Sequence, residues 1–239
     1  MGNENGTWIM RGLPPSDPRC LKTPEELTSF IREKGFLPLF RNGIQGFSVE
    51  EYTDPAAWWT GDPRRDPWEW RRLLAAGGNV VYGKFFAKKA GFLSLEWLPF
   101  FVNYRRNGYD FDALWDDEKA SFRQKKIMDL FCEEPEIFSN DLKLKAGFGK
   151  DGDKNFEGTV TALQMSLYLC VRDFRQRVNR TGQPYGWPIA VFTTPESVWG
   201  YDIVTARYDE DPVRSKEAIV SHVREICRFE NEKILSALL

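Results

Sequence analysis

Three arginines within six residues, Arg175, Arg177 and Arg180, lie between two apolar stretches in "CVRDFRQRVNRTGQPYGWPIAVF". Guanidinium groups at that density suit phosphate oxygens, which they meet bidentately with salt-sensitive affinity. Alternation along a strand would also point Arg175 and Arg177 the same way. The bland alternative is a solvated hairpin loop, since such loops are often basic. Two carboxylates invite a different chemistry. Glu96 sits in "FLSLEWLPFF" and Glu69 between Trp68 and Trp70. A carboxylate carried into apolar surroundings must find a cation or rise in pKa, and a raised carboxyl suits general acid or base work. Arg105, Arg106 and Lys84 are candidate partners of Glu96, and a structural ion pair is the commoner outcome. A pocket joining Glu69, Tyr82 and Glu96 with aromatic walls would also have room for an extruded base.

Other signals are weaker. "GFGKDG", Gly147 to Gly152, matches GxGxxG, but a helical pattern precedes it where a dinucleotide fingerprint needs a strand. It reads as a connector, and no motif calls for a cofactor. Cys20, Cys132, Cys170 and Cys227 are widely spaced and there is one histidine, His222, so neither a zinc site nor a disulfide framework is indicated. The Arg-Arg pairs at 64–65, 71–72 and 105–106 lie close to Asp62, Asp66, Glu69, Asp110 and Asp112, which favours a mixed-charge face over a basic stripe.

The elements that must position these groups follow from local signals. Residues 1–20 read as an irregular arm. Thr23, Pro24 and Gly35 bracket a helix with Leu27, Phe30 and Ile31 on one face. A second helix is expected from about Pro67 to Ala76, ending at Gly77-Gly78. "NVVYGKFF" is a strand or the start of a buried helix. Beyond "ALWDDEKAS", near residue 116, the pattern sharpens. One helix carries Ile127, Met128 and Phe131, and Ser139 opens a second. A third aligns Phe156, Val160, Leu163 and Leu167. The strands "LYLCVRDF" and "WPIAVF" then flank the basic loop. Three helices and a two-stranded hairpin make the order of a winged helix, a helix-turn-helix variant with a wing.

The expected fold is therefore α+β. A mixed, aromatic-rich N-terminal region spans 1–115, a winged-helix domain 116–196 and a helical tail 197–239. On the third helix Thr159, Thr161 and Gln164 are the candidates for base-edge contact, Gln164 through adenine. That helix has no Lys or Arg from Asn155 to Tyr168, which counts against a conventional reader.

Composition limits the function classes. A net charge of −2 and 28% charged residues do not describe a protein that coats nucleic acid, although a local patch remains open. No run approaches the roughly 18 apolar residues of a membrane span, and the N-terminus lacks a signal pattern, so cytoplasm is the expected compartment.

Three longer blocks carry a family resemblance. "VVYGKFFAKKAGFLSLEWLPFFVNYRRNGYDFDALW", "LQMSLYLCVRDF" and "YGWPIAVFTTPESVWG" resemble a bacterial family described as AlkZ-related, over roughly residues 24–235. Its members are distant relatives of winged-helix DNA glycosylases that excise alkylated or crosslinked bases. The resemblance implies a DNA-associated protein in a repair setting, with duplex DNA as partner. Those glycosylases use a Gln-x-Gln pair, whereas Gln45, Gln124, Gln164, Gln176 and Gln183 include no two separated by one residue. No catalytic residue carries over. Two other classes stay open: a winged-helix protein-interaction module without nucleic acid, and a small-ligand hydrolase using Glu96.

Overall fold

Capping chemistry sets the first elements. The computed structural model describes residues 2–4, 7–228 and 231–239. Within the expected irregular arm, β1 (Gly2–Glu4) and β2 (Thr7–Ile9) pair as a two-stranded ribbon, while residues 10–20 form neither helix nor strand. Helix α1 (Pro24–Lys34) starts where the Thr23 hydroxyl accepts the Glu26 N–H at 3.1 Å and stops at Gly35, whose φ of 76° few other residues adopt. Strand β3 (Phe36–Pro38) follows. Helix α2 (Pro67–Gly77) is opened by Asp66, a buried carboxylate that accepts the N–H groups of Trp59, Gly61 and Trp68, and is closed by Gly78 in the left-handed region.

"NVVYGKFF" resolves as a strand, β4 (Val80–Phe86), and turns into β5 (Lys89–Ser94). Helices α3 (Leu98–Arg106), α4 (Phe111–Asp116) and α5 (Phe122–Met128) come next, α5 opened by a reciprocal cap between Ser121 and Gln124. A single 3-10 turn continues α5 to Cys132. Then come β6 (Glu136–Phe138), α6 (Ser139–Lys145), α7 (Phe156–Met165), β7 (Cys170–Val178) and β8 (Pro184–Thr193). The tail is helical: α8 (Pro195–Trp199), α9 (Tyr201–Val204), α10 (Pro212–Cys227) and α11 (Glu232–Leu238).

The architecture is α+β, built on one six-stranded sheet in the order β3-β5-β4-β7-β8-β6 with every neighbour antiparallel. β4 and β7 meet at a single pair, Tyr82 and Val171. Past that pair β4 loses its partner strand, and α7 and α3 satisfy it with side chains. The Gln164 carboxamide oxygen accepts the Lys84 N–H at 3.0 Å, and Arg105 donates to the carbonyls of Phe85, Met165 and Leu239. Buried backbone groups must be paired, so these residues stand in for the missing ladder. Burial lowers the Arg105 guanidinium to about 10.

The core runs continuously under both halves of the sheet. Phe36 is its aromatic hub, ringed by Phe47, Phe86, Trp97, Phe101 and His222 at 4.8–6.4 Å between centroids. The histidine stacks on Trp97 and its Nε2 lies 2.9 Å from the Lys34 carbonyl, a packed edge residue as its sequence context suggests.

The four thiols differ sharply. Cys20 and Cys170 are buried, Cys227 is half-buried and Cys132 is exposed. Burial pushes the Cys170 and Cys20 thiols up, and Cys227 to about 11. A higher pKa means less thiolate near pH 8. One fast-reacting thiol per chain is therefore expected with an aromatic disulfide reagent, and Cys132→Ser should remove it. A fast phase that survives the substitution would show that a buried thiol opens to solvent.

Candidate nucleic-acid interface

The strands around the basic loop run further than their apolar residues suggest. β7 reaches Val178 and β8 begins at Pro184, so Arg175 and Arg177 are strand residues and only Arg180 lies in the turn. Asn179 builds that turn. Its side-chain oxygen accepts from the N–H groups of Thr181 and Gln183 and from the Thr181 hydroxyl, while Gly182 sits at φ 77°.

The arginines are not equivalent. Arg175 pairs with Glu136 of β6 and also lies 3.3 Å from Asp173; Arg177 pairs with Asp141 of α6. These carboxylates come from elements 36 and 39 residues earlier. Phosphate contact by Arg175 and Arg177 would have to displace these carboxylates. Arg180 is exposed at the tip and has no ion-pair partner among the described residues.

The hairpin also carries an irregularity that its charges do not signal. Between Arg175 and Arg177 the register slips, with Ile189 opposite the first and Tyr185 opposite the second. The bulge contains Gly186 (φ 72°), Trp187 and Pro188, and the Gln176 carboxamide pins it by donating to the Gly186 carbonyl at 2.6 Å. Trp187 is 89% exposed, with Tyr185 and Val178 exposed beside it on the ribbon. Gly and Pro flanking a Trp inside a strand pattern is the sequence signal of such a bulge.

Gln164 does not belong with these residues. It is 2% exposed, and its oxygen is engaged with Lys84. Thr159 and Thr161 are buried too. The exposed face of α7 is left to Glu157, Gly158 and Ala162, which offer no cation and little to read a base with. Base readout by Gln164 is corrected accordingly: the residue caps β4.

The two candidate carboxylates also part company. Glu96 lies in the turn between β5 and α3 and is exposed, so its apolar neighbours in sequence do not surround it in space. It lines an open cavity of about 390 Å³ with Arg32, Asn79, Ser94 and Leu95. Neither Arg105, Arg106 nor Lys84 pairs with it: Arg106 pairs with Glu196, Arg105 binds carbonyls, and the Lys84 ammonium lies 3.5 Å from the Thr161 hydroxyl. Glu69 is half-buried on α2, 3.6 Å from Arg72 one turn on. Neither carboxylate is thus enclosed by the apolar residues that flank it in sequence. Tyr82 is buried against Phe92, Phe174 and Arg71 and does not join them.

The "GFGKDG" segment follows α6, a helix, and folds back on itself where Asp153 donates its N–H to Gly147 and accepts the ammonium of Lys126. Among the described residues no helix is long and apolar enough to cross a membrane. None of the curated proteins and none of the solved structures matches the chain. The family model described as AlkZ related matches residues 21–239, which include the whole six-stranded sheet and the hairpin, and the chain belongs to that family.

Proposed function

We propose that this is a DNA-associated protein, related to the winged-helix glycosylases, that contacts duplex DNA through the β7–β8 hairpin. Residues 116–196 are read as the winged-helix unit: α5, β6, α6 and α7 lead into the hairpin, and β6 pairs outside β8. The observation that carries the reading is Trp187, held in solvent on a pinned bulge with Arg180 at the nearby tip. A flat apolar ring and an exposed cation on one hairpin suit a base step and a backbone phosphate; such wedges unstack and kink a duplex. The exposed face of α7 carries Glu157 and no cation, which makes this contact one of shape and backbone rather than base sequence. The family relationship supports a repair setting, in which the hairpin would probe a weakened base step. No residue is assigned to catalysis.

Binding should weaken with salt only gently, because of the four arginines of the hairpin only Arg180 has no ion-pair partner among the described residues. A slope of log K against log salt of about −1 to −2 is expected, in place of the steep dependence of a basic groove binder. Arg175→Ala with Arg177→Ala should weaken binding less than Arg180→Ala. Fluorescence anisotropy on a labelled duplex across a salt series checks both, and a stronger effect of the double substitution would reverse the assignment.

A second reading is favoured by the same ion pairs. With Arg175 and Arg177 neutralised, the exposed Trp187, Tyr185 and Val178 also suit a protein partner. Absence of duplex binding at low salt would leave this reading standing. The hydrolase reading keeps a cavity beside Glu96, without the buried carboxyl it needs.

A further inference from the structure

The two paired arginines of β7 stand on either side of the exposed ring. Arg175 lies opposite Ile189 and Arg177 opposite Tyr185, so the bulge that carries Trp187 opens between them, across from Gln176. Two free guanidiniums flanking a wedge would draw it onto any duplex, because backbone charge supplies most non-specific affinity. Neither is free. Glu136 holds Arg175 and Asp141 holds Arg177, and both carboxylates come from outside the hairpin, on β6 and in the first turn of α6. Because β6 pairs with β8 and runs directly into α6, one short stretch of chain delivers both counter-charges.

The two pairs are of a kind that opens readily. Each guanidinium meets its carboxylate through one terminal nitrogen, and the Nε–H of both arginines makes no hydrogen bond. A two-point fork would be stronger and more rigid. Both carboxylates are also partly open to water, at 37% and 40% exposure, where an ion pair adds little to stability. Arg172 is held differently. It lies 3.3 Å from Glu136 but also donates to the carbonyls of Ala75 and Ala76 at 3.0 and 2.7 Å, so α2 keeps it in place. Asp173 shares in neutralising Arg175, whereas Asp141 is the one carboxylate paired with Arg177 among the described residues.

We propose that Glu136 and Asp141 determine the specificity of the hairpin for a weakened base step over intact duplex DNA. The inference rests on the DNA reading above and names what sets its selectivity. With Arg175 and Arg177 neutralised, an intact duplex gains little from the charge of the ribbon, and binding depends on whether the Trp187 ring can enter the stack. A damaged or mispaired step costs less to open than an intact one. The carboxylates act against the wrong partner: they remove an attraction that every duplex would share.

Fluorescence anisotropy of labelled duplexes, undamaged and alkylated, tests this on the full chain carrying Glu136→Gln with Asp141→Asn. Affinity for the undamaged duplex should rise about tenfold. The slope of log K against log salt should steepen by about 1 to 2, and the preference for the alkylated duplex should shrink. Asp141→Asn alone should account for most of the change, because Asp173 still screens Arg175. Adding Arg175→Ala and Arg177→Ala to the released variant should abolish the gain. The exposed pair Glu217→Gln with Glu225→Gln, on a helix packed against α3, alters net charge equally and should leave all three readings near wild type. A gain shared by that control, a gain that survives loss of the two arginines, or an unchanged slope and preference overturns the proposal. Failure of the DNA reading looks different. Trp187→Ala then binds as wild type does, whatever the carboxylate variants show, and binding by neither wild type nor the released variant overturns both.

Discussion

Phe36→Ala is expected to destabilise the protein by about 4 kcal/mol, the largest effect of any single truncation considered. Phe36 is fully buried, and its ring touches side chains from four parts of the chain. Phe86 belongs to β4, Phe101 to α3, His222 to α10, and Phe47 to the segment after β3. Four of the five ring contacts are tilted or edge-on, geometries that add to simple burial. A cavity left there is walled by other rings held on separate elements, and so cannot collapse. For a chain of 239 residues the melting temperature should fall by roughly 8–16 °C. Urea denaturation checks the value: a lower midpoint with an unchanged slope is expected, and a loss below about 1 kcal/mol would show that the hub repacks.

Arg106→Met should cost about 3 kcal/mol through polar groups left behind. The Arg106 side chain is 1% exposed. Its guanidinium donates to Glu196 of α8, to the Tyr208 hydroxyl at 3.2 Å and to the Leu167 carbonyl at 2.6 Å, and it lies over the Tyr168 ring. Burial works against its charge, yet the Glu196 carboxylate prevails and the pKa is raised. Leu167, at φ 60°, carries the chain from α7 into β7, so this cation anchors the base of the hairpin. Removing it strands Glu196, but that side chain is 26% exposed, which places the loss at the lower end of the range for buried pairs. Arg106→Met combined with Glu196→Leu should recover part of the loss, because the stranded carboxylate goes with it. Chemical denaturation of the two single variants and the double variant checks this; simple additivity would mean that the pair does not couple.

How much of this was legible in the sequence depends on the range of each interaction. Helices α1 and α2 were read nearly to the residue because their ends are written locally, as Thr23 or Asp66, then Pro, then Gly. The apolar run of β4 shows no period that separates strand from buried helix, and only its partners β5 and β7 make it a strand. The short strand β6 has too few residues to show a period, and it matters because it brings Glu136 to Arg175. Gln164 was misread for a related reason: a polar residue on an otherwise apolar helix was taken to face outward, whereas it caps a strand 80 residues away. Glu96 failed in the opposite direction, since apolar neighbours along the chain turned inward and left it in solvent. Trp187 was legible in principle, as Gly-Trp-Pro within a strand, and was passed over in favour of charge.

The most direct test of the central claim is the affinity of the wild-type chain and Trp187→Ala for one labelled duplex, undamaged and alkylated, at fixed low salt. The account predicts micromolar or tighter binding by wild type and a loss of roughly tenfold in the variant, the value of about 1.4 kcal/mol that a stacked aromatic supplies. Equal affinities would remove Trp187 from contact with DNA, and with it the observation that carries the hairpin reading.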